Sequence, residues 1–365
     1  MVMAYGHIAD VLPTFAALRA LRQTYPAAHI VVFAVEYVRE MFERCADVDE
    51  VLIIKDFKYK GTRRGKLEQL ARLMRLFPRV YRRYDMALVL HAQTRFLTRL
   101  AWLSGARIRA GFADGERLPL LTNPARPLTT RVSFREENRR VLEAVGITTM
   151  GKGLELTPSD DDLTAMRRLL AAEGVTEGEL VIGLHPGSHW TCQQWDVPEW
   201  SALADELVTR HGARLVVTGS RDESDWARAI VEHMSVKDAR VIDTTGRTSI
   251  MQFAALIRSL TCLVCVNSAA SQIALAVRTP VVNLVGYENP VWTAPSVGEP
   301  MTIVRGCDDE TAVENWCPYN VWGKLSQCHR AECIGIGGLS LIRRDRVMRE
   351  VEKWLQADRV SLGRT

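Results

Sequence analysis

No run of about 18 apolar residues occurs in the chain, so no membrane-spanning helix is expected. Charge of one sign is scarce too, since the formal net charge is only +4. A balance this even exerts little general pull on polyanions, and no nucleic-acid motif accompanies it, so nucleic acid is excluded as the expected partner. The opening Met1-Val-Met-Ala-Tyr5 lacks a charged leader and a cleavage site. No signal peptide is read there, and a cytoplasmic location is expected. Cysteines in the spacing of a zinc ribbon or finger are missing as well. Of the eight cysteines, Cys45 and Cys192 stand singly, and Cys262 and Cys265 lie in an apolar run that suits a core strand. Cys307, Cys317, Cys328 and Cys333 cluster with spacing C-x9-C-x10-C-x4-C. In a cytosolic chain a stable disulfide is not the expectation. The cluster reads either as structural thiols or as a structural zinc or iron site, with His329 as a spare ligand.

What is present is an ordinary globular composition, 47% hydrophobic and 25% charged, over 365 residues. That length suits two cores better than one. Apolar runs of strand length alternate with helical periodicity throughout. In the first half, strands are expected over 1–5, 29–35, 51–54, 86–91 and 107–112, and helices over 11–25, 36–44, 66–82 and 95–103. In the second half, strands are expected over 180–184, 214–218, 240–243, 262–266 and 281–285, and helices over 197–210, 222–234, 250–260 and 268–277. Such alternation implies parallel sheets covered by helices. The fold class is therefore α/β, with two Rossmann-like doubly wound domains and a ligand cleft between them at the carboxyl ends of the strands. The expected boundaries are 1–150 for the N-terminal domain, 151–179 for a polar linker that holds a helix start at Thr157-Pro-Ser-Asp160, 180–342 for the C-terminal domain with its cysteine-bearing insert, and 343–365 for a final helix and tail. Residues 114–130, rich in Pro, Leu and Arg, read as a long loop.

Two segments of the second half carry chemistry. Leu184-His-Pro-Gly-Ser188 follows a strand and leads to Trp195 and a helix. Cys262-Leu-Val-Cys-Val266 is followed by Asn267-Ser268 as a helix cap and a helix from Ala269. Strand-to-helix turns of this kind aim backbone N–H groups at an anion. Two of them in one half suit a diphosphate. In the first half, residues 55–83 hold eleven Lys and Arg with few acids, and Leu67, Leu70, Leu73, Met74 and Phe77 interleave at helical spacing. This basic amphipathic stretch reads either as a solvated helix face or as a patch for an anionic glycolipid at the inner face of a membrane.

At this point the residues resemble a known family. Gly6-His-Ile-Ala-Asp10-Val-Leu, Ala17-Leu-Arg-Ala-Leu-Arg22, Gly105-Ala-Arg, His185-Pro-Gly-Ser, Trp195, Thr218-Gly-Ser220, Val266-Asn-Ser268 and Thr279-Pro-Val-Val-Asn-Leu-Val-Gly286 occur in an order and spacing similar to those of glycosyltransferase family 9, the heptosyltransferases of lipopolysaccharide synthesis. The resemblance implies a GT-B fold, an acceptor domain first and a nucleotide-sugar domain second, and ADP-heptose as donor. It implies inverting transfer to a hydroxyl of an anionic glycan or glycolipid with no metal needed for the chemistry. Asp10 matches the family's catalytic base, and Glu223 matches the acid on the donor nucleoside. Gly187, Ser188, Gln193, Asn267, Ser268, Ala269 and Gln272 match the lining of the donor diphosphate site. Four of these positions depart from the family pattern. Asn267, Ala269, Gln272 and Gln193 stand where the family carries Asp, Gly, His and Lys. Neutral amides replace cations that stabilise a leaving phosphate. The departures keep two other readings open: a non-catalytic nucleotide-sugar or glycan binder, and a transferase for a protein or small-molecule acceptor.

Overall fold

The computed structural model describes residues 1–54, 71, 74–90, 95–112, 118–125, 132–150, 154–188, 193–236, 240–286, 294–306 and 338–361. The four clustered cysteines with His329, Cys192 and most of the basic stretch lie outside the described residues. The chain folds as two compact units that part between Thr157 and Pro158.

The first unit is built on a six-stranded sheet of order β3-β2-β1-β4-β5-β6. Its strands are β1 (Val2–Ala4), β2 (Val31–Ala34), β3 (Glu50–Ile53), β4 (Met86–Leu90), β5 (Ile108–Phe112) and β6 (Asn123–Ala125). Every neighbouring pair is parallel. Parallel strands are buried on both faces, which is why they read as unbroken apolar runs. Met3, Phe33 and Val89 pack with Phe96, Leu97 and Leu100 of the helix Arg95–Leu103 in one core cluster. The helices Thr14–Thr24 and Phe134–Glu143 pack on each other, and the latter also lies against β4, β5 and β6.

The second unit carries a six-stranded sheet of order β12-β11-β10-β7-β8-β9. These strands are β7 (Val181–His185), β8 (Arg214–Val217), β9 (Val241–Asp243), β10 (Cys262–Val266), β11 (Val281–Val285) and β12 (Met301–Arg305). They too are all parallel. Cys262 and Cys265 are core residues, as expected. Burial pushes the Cys262 thiol up to about 12 and the Cys265 thiol well above its ordinary value, so neither is a thiolate. The helix Val197–His211 turns one face inward through Trp200, Leu203, Ala204 and Leu207. The Trp200 ring meets Trp195 edge-on with centroids 5.3 Å apart. Trp195 Nε1 donates to the Ile342 carbonyl at 3.2 Å. The final helix Arg344–Ser361 joins the same core through Val347, Met348, Val351 and Leu355.

Four elements depart from the sequence expectation. The segment 151–179 contains a helix, Asp160–Ala172, whose Met166 and Leu170 are buried and which packs on the helix Ile250–Arg258. It starts by reciprocal capping, with Ser159 N–H donating to Asp162 and Asp162 N–H donating to Ser159 Oγ. The stretch 114–130 contains β6, and the helix Phe134–Glu143 and edge strand β12 were not expected. Among the described residues no helix is long and apolar enough to cross a membrane.

Leu203 is 0% exposed at the centre of the second core. Leu203→Ala is expected to cost about 2–5 kcal/mol through lost transfer energy and a residual cavity. Urea denaturation followed by tryptophan fluorescence checks this. A loss below about 1 kcal/mol would mean that the core collapses around the site, contrary to the packing described.

Candidate active site

Each sheet contains one place where neighbouring strands send their connections to opposite sides. In the first unit this is β1 beside β4, since β1 leads on to β2 and β4 leads on to β5. In the second it is β7 beside β10, since β7 leads to β8 and β10 leads to β11. The loops part at such points and leave a crevice at the carboxyl ends of the strands, where ligands bind in open α/β sheets.

Asp10 lies just beyond β1, in the short helix Ile8–Val11. Its Oδ2 accepts the backbone N–H of His7 at 2.8 Å. A Cβ at position 6 would stand 2.7 Å from Asp10 Cβ and 2.9 Å from its Oδ2, so only glycine lets the carboxylate fold back over the strand end. Tyr37, from the 3-10 turn Glu36–Val38 after β2, donates its hydroxyl to the Gly6 carbonyl at 2.7 Å. The loop after β4, residues 91–94, lies outside the described residues.

In the second unit the residues expected to hold a donor fall into two groups on neighbouring strands. His185 is paired with Cys265 in the register of β7 and β10. Gly187 and Asn267, each two residues further on, therefore leave the sheet at the same level. Ser188 donates its hydroxyl to Gln193 Oε1, and Gln193 itself is buried. The Glu223 carboxylate accepts from Ser220 N–H at 2.6 Å. It also lies against the turn after β7, where a Cβ at Gly187 would collide with Glu223 Oε1. Gly187, Ser188, Gln193 and Glu223 thus gather at one corner of the sheet.

The second group follows β10. Asn283 Nδ2 donates to Asn267 Oδ1 at 3.3 Å, holding the strand end in place. Ser268 is the N-cap residue of the helix Ala269–Ala276 but makes no side-chain cap bond. Its Oγ is buried without a hydrogen-bond partner among the described residues. An N-cap serine normally accepts one of the first helical N–H groups. Here the hydroxyl is unspent and the helix start is not side-chain capped, and a buried unpaired hydroxyl costs about 1–3 kcal/mol. Gln272, one turn further, is buried within the unit, where an amide avoids the desolvation cost of an imidazolium.

His185 and Asn283 stand inside motifs of the sequence that assign them no role. Both are buried polar residues at or inside apolar strand runs, which is the signal that could have singled them out. His185 Nδ1 is 2.9 Å from Thr218 Oγ1. Burial holds the His185 imidazole below its ordinary value, and the nearby Glu223 carboxylate opposes that shift. The unfolded chain therefore takes up a proton more readily than the folded one. Stability from this residue is complete above the ordinary histidine value and is lost as pH falls through the depressed folded value. Urea midpoints are expected to drop as pH is lowered from about 7 to 5, with a shallower drop in His185→Gln. Equal slopes in the two proteins would show that His185 does not titrate on unfolding.

Residues 73–319 match glycosyltransferase family 9 (heptosyltransferase). Lipopolysaccharide heptosyltransferase 3 of Escherichia coli K12 is 31% identical over 160 residues, covering 44% of this chain and 46% of that protein. Lipopolysaccharide heptosyltransferase 3 of Escherichia coli is 24% identical over 292 residues, covering 78% of this chain and 83% of that protein. The structure of the E. coli ADP-heptose lipopolysaccharide heptosyltransferase II superposes with a TM-score of 0.72 at 19% identity, covering 98% of this chain and 99% of that one, so the two-unit α/β architecture is of GT-B type. With the family match spanning most of the chain, this protein belongs to glycosyltransferase family 9, the heptosyltransferases.

Proposed function

We propose that the protein transfers a heptose from ADP-heptose, with inversion at the anomeric carbon, to a hydroxyl of an anionic glycan or glycolipid such as the lipopolysaccharide core. The observation that carries this reading is the buried Ser268 hydroxyl, unpaired among the described residues, at a helix start on the β7/β10 switch point. A helix N-terminus and a spare hydroxyl donor suit a diphosphate. The similar E. coli enzyme is an ADP-heptose heptosyltransferase, which supports the choice of donor.

In this reading Asp10 accepts the proton of the acceptor hydroxyl. The hydroxyl oxygen attacks the anomeric carbon, the bond from that carbon to the diphosphate oxygen breaks, and ADP leaves with the electron pair. The His7 N–H orients the Asp10 carboxylate for the task. Ser268, the N–H groups of Ala269 and Ala270, and the turn Gly187-Ser188 stabilise the charge that grows on the diphosphate. Gln193, whose Oε1 is engaged by Ser188, turns its amide N–H donors to the same end. Gln272 contributes an amide where relatives carry a cation. These donors supply the charge stabilisation, so the chemistry is proposed to need no metal. Glu223 takes the hydroxyls of the donor ribose.

Two substitutions separate the roles. Asp10→Asn is expected to lower kcat by about 10²–10⁴-fold while leaving the ADP-heptose Kd unchanged. Ser268→Ala is expected to raise that Kd about tenfold or more, since hydrogen bonds to charged groups contribute about 1.5–3 kcal/mol. Radiolabelled transfer and calorimetric titration check these outcomes. Transfer by Asp10→Asn at the wild-type rate would remove Asp10 as the base. Donor binding without transfer to any glycan, protein or small-molecule acceptor would favour a nucleotide-sugar binder.

A further inference from the structure

The turn that holds Asp10 also presents two aromatic rings. His7 is exposed, and Tyr37 is 43% exposed, with its hydroxyl bonded to the Gly6 carbonyl. The rings stack with centroids 6.1 Å apart and planes inclined by 27°. An exposed tyrosine ring on a loop ordinarily loses conformational freedom when a ligand lands on it. This one is already fixed, because its hydroxyl is bonded to the Gly6 carbonyl at 2.7 Å and its ring is paired with His7. A pre-ordered surface costs less to occupy.

The chemistry of such a surface is specific. A pyranose has a face of C–H groups that packs on an aromatic face, while its hydroxyls project at the rim. Tyr combines a broad apolar body with one polar handle, and here the handle is engaged by the Gly6 carbonyl. The same His7 whose ring belongs to the pair donates its backbone N–H to Asp10 Oδ2 at 2.8 Å. The ring pair and the Asp10 carboxylate therefore share one turn after β1.

We propose that His7 and Tyr37 form the platform for the pyranose ring of the acceptor, and that the Tyr37 hydroxyl separately positions Asp10 through the Gly6–His7 turn. This rests on the reading of Asp10 as the base of sugar transfer. The ring and the hydroxyl of Tyr37 thus have different jobs, and substitution can part them. Tyr37→Phe keeps the ring and loses the tether to Gly6. Tyr37→Leu loses both. His7→Leu loses the second ring and keeps the backbone N–H that grips Asp10.

The experiment measures transfer from ADP-heptose to a deacylated lipopolysaccharide core oligosaccharide, with kcat and both KM values determined for each variant. Tyr37→Phe is expected to lower kcat severalfold with the acceptor KM within about twofold of wild type. Tyr37→Leu and His7→Leu are expected to raise the acceptor KM about tenfold and leave the ADP-heptose KM unchanged. Saturation-transfer NMR of the free oligosaccharide, with no donor present, is expected to show transfer from aromatic protons to sugar C–H groups in wild type and Tyr37→Phe, and its loss in Tyr37→Leu. Thermal melts confirm that the variants are folded. An acceptor KM in Tyr37→Leu equal to that in Tyr37→Phe, or an unchanged NMR signal, would overturn the platform. Because the NMR arm needs neither donor nor turnover, failure of the ADP-heptose reading is distinguished from failure of this one.

Discussion

A parallel sheet wound in two directions must part its loops where the winding reverses, and the placing of the candidate site residues depends on that constraint. The reversal falls between β1 and β4 in one unit and between β7 and β10 in the other. Helices on opposite faces draw the connections apart, so the carboxyl ends of these two strand pairs are the places where backbone N–H groups and side chains face outward together. Asp10 follows the first of these ends, and the Gly187 and Ser268 turns follow the second. The site residues are scattered in sequence because the topology, rather than sequence proximity, brings them to the strand ends.

Close approach of backbone and side chain is the second theme. Two glycines do the same work in different units. Gly6 lets the Asp10 carboxylate lie back on the turn that hydrogen-bonds it, and Gly187 lets the Glu223 carboxylate lie against the turn after β7. In both places a methyl group would collide with a carboxylate. Among the described residues, the candidate positions of the second unit carry no Lys or Arg. Burial disfavours the charged form of His185, and Gln193 and Gln272 are buried amides. In the proposed reaction, charge stabilisation there falls to directed hydrogen bonds and the helix start, whose strength depends on being fixed in advance.

Much of this was legible in the sequence for a physical reason. Strands buried on both faces must be apolar, so β2, β4, β7, β10 and β11 stood out as apolar runs. What escaped notice lies at edges and surfaces. β12 is an edge strand with Thr302 and Ile303 only half-buried, and β6 spans three residues, one of them Pro124. The helix Phe134–Glu143 buries Glu137 and Asn138 beside Val141 and Leu142, which blurs its apolar stripe. The helix Asp160–Ala172 begins at the helix start that Thr157-Pro-Ser-Asp160 signals, but its three aspartates and polar surroundings suit a linker and hide its length, though acids in the first turn favour a helix. At the site, the positions of Asp10, Ser188 and Ser268 could be read from motifs. The unpaired state of the Ser268 hydroxyl and the tether from Tyr37 to Gly6 could not, because each depends on strands distant in sequence.

The central claim is that the β7/β10 switch point holds the donor diphosphate. Hydrogen exchange of the full chain with and without ADP-heptose tests it most directly. The account predicts slowed exchange concentrated in the backbone amides of Gly187, Ser188 and the first turn of the helix Ala269–Ala276, with little change at the amino ends of the same strands. Protection centred elsewhere, or none at saturating ADP-heptose, would contradict it.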